Sequence, residues 1–157
     1  MAIGIALPET PLALDSNVLT AWRYQKREVL DAIAAYQSQL KLFPALTSMT
    51  VYEAIYGFEN KSIKPNEPNE QARHDRLKTE QLIKSCVVLP FDQRAAEVAA
   101  YVVPRLSKNM PKEFLRDVFI AATALAHGYG IATRNKKDFD LIANHTPDGL
   151  ILRIADW

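Results

Sequence analysis

Three carboxylates fall where chemistry can gather: Asp15, Glu53 and Asp117. Asp15 ends the apolar run Leu12-Ala13-Leu14 and is followed by Ser16 and Asn17. A short apolar run without alternation suits a strand buried on both faces of a parallel sheet. An acid at its carboxyl end opens into the crevice where open α/β sheets bind ligands. Glu53 closes the segment Thr50-Val51-Tyr52-Glu53, behind a second short apolar stretch, Ala45 to Met49. Asp117 precedes Val118-Phe119-Ile120-Ala121-Ala122-Thr123-Ala124-Leu125-Ala126, a helix apolar nearly all round and so expected to be buried. A carboxylate there needs a hydrogen-bond partner, a counter-ion or a metal. Carboxylates brought together hold their protons more tightly unless a cation stands between them. Mg²⁺ and Mn²⁺ take such oxygen ligands. An ion so held can activate water and stabilise a phosphodiester undergoing in-line displacement.

The elements must bring these acids together. Strands are expected at Leu12–Leu14, Ala45–Met49, Val87–Leu89, Gly130–Thr133 and Leu150–Ile154, with helices between them. The helices are read from Val18 to Trp22, Glu28 to Leu40, Thr50 to Phe58, Gln71 to Lys84, Ala95 to Leu106 (disturbed by Pro104) and Glu113 to His127. Gly128 is placed to end the last of these. The alternation predicts an α/β domain with a mainly parallel sheet. In such a sheet the ends of the first two strands and the N-terminal half of the helix before the fourth strand share one edge. Each acid also has an ordinary structural reading. Asp15 can cap a helix, Thr50 and Glu53 match a capping box, and Asp117 can pair with a core arginine. Their joint placement at successive junctions is the stronger signal.

The rest of the sequence bounds the function. The 157 residues fit one domain, residues 12–157, behind a short arm, residues 1–11. A net charge of +1 gives no broad basic field for nucleic acid or membrane. The single cysteine, Cys86, excludes an internal disulfide and reads as a small core residue. No apolar stretch is long enough to span a membrane, and the N-terminus lacks a basic signal-peptide region, so a cytoplasmic protein is expected. His74, His127 and His145 are scattered and show no zinc spacing. The polar stretch Lys61–Glu70 reads as a mobile surface loop, as does Thr133–Asp138 as a polar loop.

The ordered motifs resemble the PIN-domain ribonucleases, and among them the VapC-type toxins of prokaryotic toxin–antitoxin pairs. They are Leu14-Asp15-Ser16-Asn17-Val18-Leu19, Thr50-Val51-Tyr52-Glu53-Ala54-Ile55-Tyr56-Gly57, Leu89-Pro90-Phe91-Asp92, Asp117 to Gly128, and Ile131-Ala132-Thr133-Arg134-Asn135-Lys136-Lys137-Asp138-Phe139. The resemblance implies a PIN-like three-layer α/β fold, with a central five-stranded parallel sheet flanked by helices and the first strand in the middle. It implies a Mg²⁺- or Mn²⁺-dependent endoribonuclease, a protein antitoxin that blocks the site, and a homodimer. By motif position Asp15, Glu53 and Asp117 match the family's metal-site acids, Asp15 and Asp117 as direct ligands. The family's fourth acidic position often follows the strand threonine as Thr-x-Asp. Here Asn135 occupies it, and Asp138 lies three residues on. On this reading Ser16 and Asn135 position water or phosphate, and Arg134, Lys136 and Lys137 steady the RNA backbone. The alternative is a catalytically weak or inactive PIN-like binding module acting through a protein partner in an antitoxin and operator complex. A phosphoaspartyl phosphatase would need an acid at Asn17.

Overall fold

The computed structural model describes residues 10–64, 70–108 and 110–157. Most of the arm expected over 1–11 and the middle of the loop expected over 61–70 lie outside them. The elements in order are β1 (Leu12–Leu14), α1 (Ser16–Arg23), α2 (Arg27–Leu40), β2 (Ala45–Thr47), α3 (Ser48–Ser62), α4 (Glu70–Ser85), β3 (Val88–Leu89) and α5 (Gln93–Val102). A single turn of 3₁₀-helix, Val103–Arg105, leads to α6 (Lys112–Ala126), β4 (Gly130–Thr133), α7 (Lys136–Ala143) and β5 (Ile154–Asp156). The five strands form one sheet in the order β3-β2-β1-β4-β5, parallel at every pairing. This is the α/β, PIN-like three-layer arrangement expected, with β1 central.

Residues alternate between the two faces of the sheet, and each face carries its own core. Ala13, Ala45 and Ile131 join the α5, α6 and α7 side, with Val98, Ile120 and Phe139. Leu12, Leu14, Leu46 and Ala132 join the α1 and α2 side, with Val18, Val29 and Ile33. With apolar side chains on both faces, β1 and β4 read as continuous apolar runs rather than alternating ones. Cys86 packs half-buried against the second core, and burial pushes its thiol up to about 11, so it is not poised as a nucleophile.

Several boundaries differ from the sequence expectation. The helix carrying Glu53 starts two residues earlier, with Thr47 as its cap: the Thr47 hydroxyl accepts the Thr50 N–H at 3.2 Å. Thr50 is inside the first turn, so Thr50 and Glu53 form no capping box. Lys61 and Ser62 complete α3 rather than opening a loop. The polar stretch after β4 is short, because Lys136, Lys137 and Asp138 already form the first turn of α7, whose Phe139 and Ile142 are buried. The final strand is Ile154–Asp156, not Leu150–Ile154. Leu152 is buried in the first core before pairing begins, and the ladder to β4 starts where Ile131 N–H donates to Arg153 O at 2.8 Å. Gly130 permits that approach, since a Cβ there would stand 2.7 Å from Arg153 O. No described helix is long and apolar enough to cross a membrane.

Candidate metal centre

The strand order reverses between β1 and β4, since β2 and β3 lie to one side of β1 and β4 and β5 to the other. The carboxyl end of that pair is the topological switch point, where open α/β sheets leave a crevice. Asp15 stands there. Its N–H extends the β1–β4 pairing by donating to Ala132 O at 2.9 Å. Its side chain is held at both oxygens. Oδ1 accepts the Ser16 N–H at 2.8 Å and so caps α1, and Oδ2 accepts the Thr133 hydroxyl at 2.8 Å. Cap and site residue are therefore one residue, not competing readings.

Glu53 reaches the same place through α3. The Thr50 hydroxyl donates to Leu14 O at 3.1 Å and ties the first turn of α3 to the end of β1. Glu53, three residues on, shares that helix face. The Ser16 hydroxyl lies between the two acids, in a short hydrogen bond to Glu53 Oε2 and 3.4 Å from Asp15 Oδ1. Asp117 comes from the N-terminal half of α6. It is half-buried, and its carboxylate has no hydrogen bond or ion pair among the described residues. Burial, and then the charges of Asp15, Glu53 and Asp138, push its carboxyl up to about 7. Asp15 is raised too, chiefly by burial, against the lowering hydrogen bonds from Thr133 and Ser16.

Asn135 and Asp138 face each other. Asn135 Nδ2 donates to Asp138 Oδ2 at 2.7 Å, and Asn135 N–H donates to the Thr133 hydroxyl oxygen at 2.9 Å. Thr133 thus links Asp15 to the Asn135–Asp138 pair. By sequence pattern Thr133 is the end of a strand and the start of a polar loop, with no site role. The available signal was a buried hydroxyl at the last position of a central strand, where it needs a partner. Asn17 was also passed over, and its Oδ1 accepts the Arg134 N–H at 3.2 Å. Two of the expected RNA contacts are engaged elsewhere: Arg134 pairs with Glu28 at 3.1 Å and Lys136 with Asp140 at 2.5 Å. Lys137 is exposed.

Four acids thus share one crevice edge, and the Arg116 charge offsets only part of what burial and the other acids do to Asp117. None of Asp15, Glu53, Asp117 or Asp138 forms an ion pair among the described residues. Among those residues no three acidic, imidazole or thiol groups are drawn in as a ready cage. The donor set is all oxygen, with Asn and Ser beside the acids. It suits a hard divalent ion that keeps several waters and takes one or two carboxylates directly. Zinc, which wants nitrogen and sulfur, does not fit.

Comparison with known proteins follows the same lines. The family model described as PIN domain matches residues 12–144. Ribonuclease VapC1 of Rickettsia felis is 36% identical over 75 residues, which cover 47% of this chain and 56% of that protein. The chain therefore aligns with only about half the length of that relative. Among solved structures, VapBC2 from Rickettsia felis bound to a promoter DNA fragment superposes with a TM-score of 0.70 at 17% identity, covering 92% of this chain and 98% of that one. DNA-bound VapBC from Salmonella typhimurium gives 0.68 at 20% identity, over 92% and 98%. VapBC-5 from Mycobacterium tuberculosis gives 0.62 at 23%, over 94% and 99%. These three likenesses are likenesses of fold. The match over nearly all of the ordered sheet and its helices shows that this chain belongs to the PIN-domain family.

Proposed function

We propose that this chain is a divalent-metal-dependent endoribonuclease, the toxin of a VapBC-type pair. The observation that carries the reading is the unpaired carboxylate cluster at the β1–β4 switch point, on a chain of the PIN-domain family. The similarity to Ribonuclease VapC1 supports RNA as the substrate, and the likeness to VapBC complexes supports a protein antitoxin as partner. A homodimer is part of the same reading.

Asp15 and Asp117 would hold the ion, Mg²⁺ or Mn²⁺, and Glu53 would bind it through water or orient the attacking water. When bound, the ion supplies an acidified water and neutralises charge building on the phosphodiester. The chain's own residues do the positioning. Thr133 and the Ser16 N–H fix both Asp15 oxygens, so the carboxylate does not swing. Ser16 steadies Glu53 and presents a hydroxyl to water or phosphate. Asn135, held by Asp138, offers an amide at the other side. Asp138 adds negative charge that Asp117 feels, which supports a share for it in completing the site. Arg134 and Lys136 stand at the rim in exposed ion pairs, which solvent weakens, so a phosphate can displace either partner. Purified wild-type protein with Mn²⁺ should cut cellular RNA, and Asp15→Asn and Asp117→Asn should each lose at least ~100-fold in rate. Equal cleavage by all three overturns the assignment.

Asn135 at the Thr-x-Asp position favours one other reading, a PIN-like binding module with little or no catalysis, acting through its partner. Metal titration separates the two: a dead scaffold binds Mn²⁺ no better than its Asp15→Asn variant.

A further inference from the structure

A second cavity opens directly beside the carboxylates, between α1, α3 and α4, with the start of α6 at its rim. It holds about 340 Å³ and shares Ser16 and Glu53 with the candidate metal centre. Three cations, Arg23, Lys61 and Arg116, also line it. Four other cations stand in ion pairs, Arg27–Asp31, Arg76–Glu59, Arg134–Glu28 and Lys136–Asp140. None of Arg23, Lys61 and Arg116 forms an ion pair among the described residues, although the Arg116 charge acts on Asp117 and partly lowers its carboxyl.

Arg23 is the most constrained of the three. Its Nη1 donates to the Thr79 hydroxyl oxygen at 3.3 Å, and its guanidinium carbon lies 4.6 Å from the Tyr24 ring centre and 5.3 Å from that of Phe58. Its Nε is buried without a hydrogen-bond partner. Leaving a buried donor of a charged group unpaired is costly, and such groups mark sites that a ligand completes. Aromatic rings hold the guanidinium in place, so little freedom is lost when an anion arrives.

We propose that this cavity is the subsite for the nucleotide flanking the scissile phosphate, with Arg23, Lys61 and Arg116 gripping its phosphate. The proposal rests on the ribonuclease reading of the neighbouring carboxylates. A strand whose scissile phosphate lies at Asp15 must lay its next nucleotide into the adjoining space. The volume fits one small ligand, within the roughly 300–1,000 Å³ of such pockets. A cavity lined by three cations beside the carboxylates matches an RNA strand held by its backbone next to a metal centre. Phosphate contacts of this kind position the strand without reading its sequence.

The test is equilibrium binding of a fluorescein-labelled single-stranded RNA 10-mer to the full chain carrying Asp15→Asn, so that cleavage does not interfere. Adding Lys61→Gln and Arg116→Gln should weaken binding about tenfold and flatten the slope of log affinity against log salt by about 1 to 1.5. Arg23→Lys, which keeps the charge but loses the planar fork, should weaken it severalfold with the salt slope nearly kept. Unchanged affinity and slope in the double variant overturn the subsite. So does RNA affinity that stays while affinity for polyglutamate is lost, because the cavity would then be a dock for an acidic protein segment. The nuclease reading is checked apart, by wild-type cleavage of the same RNA with Mn²⁺. If the wild type does not cut while the double variant still loses RNA affinity, the nuclease reading fails while the cavity's grip on an RNA phosphate stands.

Discussion

Asp117 carries the clearest consequence at the scale of single residues. Unfolded, its carboxyl titrates near 3.8, and in the folded metal-free protein near 7. The folded state therefore holds the proton more tightly. Stability of the metal-free protein falls as pH rises from about 4 to 7, and the whole penalty is present above 7. Removing the charge should relieve it. Asp117→Asn is expected to stabilise the EDTA-treated protein at pH 8 by about 1–2 kcal/mol, a rise in melting temperature of roughly 2–8 °C, and to bring little gain at pH 4.5. Thermal unfolding at both pH values measures it, and an equal or lower melting temperature at pH 8 contradicts the account. Stability gained by deleting an acid is the trade expected if Asp117 serves the proposed site. Asp15 and Asp117 stand out in the sequence because one ends an apolar run and the other precedes one. Glu53 was legible only as an ambiguity, because Thr50-Val51-Tyr52-Glu53 spells a capping box. The structure removes it: Thr47 is the cap, and the Glu53 carboxylate accepts the Ser16 hydroxyl instead. Thr133 was hidden, since its role depends on Asp15, 118 positions away in sequence.

Among the elements, β1 sets the frame, and its first residue is tied down from α2. The Leu12 N–H donates to the Tyr36 hydroxyl oxygen at 3.0 Å in a buried contact, with Trp157 edge-on to the Tyr36 ring. Tyr36→Phe keeps the ring and strips the Leu12 N–H of its acceptor, which should cost about 1–3 kcal/mol. Denaturant unfolding should show a lower midpoint with an unchanged slope, and no loss of stability would contradict the role given to the hydroxyl. Helices were legible from their 3.6-residue periodicity to within a few residues, as α2 and α6 show. Ends were less so. Leu150–Ile154 looks like a strand by composition, but Leu152 is drawn into the core and β4 accepts a partner only from Arg153 onward. Lys136-Lys137-Asp138 looks like a loop because the exposed side of a helix's first turn is polar.

For the whole molecule, the order β3-β2-β1-β4-β5 matters most. It puts the reversal of strand order at β1 and β4, and so places Asp15, Thr133 and the Asn135–Asp138 pair on one crevice, with α3 and α6 delivering Glu53 and Asp117. Alternation of elements pointed to a parallel sheet and a shared edge. Strand order is a property of long-range pairing that local pattern does not carry, and it entered the sequence reading only through family resemblance. The crevice gathers negative charge at its centre and three cations in the cavity beside it, although the chain as a whole is nearly neutral. Net charge alone therefore hides the nucleic-acid chemistry proposed for it.

The central claim is that one divalent ion, held by Asp15 and Asp117, is what cuts RNA. Calorimetric titration of Mn²⁺ into the metal-free wild type, set beside the Mn²⁺ dependence of RNA cleavage by the same preparation, tests it most directly. The account predicts one binding event whose midpoint coincides with half-maximal cleavage, and its loss in Asp15→Asn. Cleavage that persists in EDTA, or Mn²⁺ binding unchanged by Asp15→Asn, would contradict it.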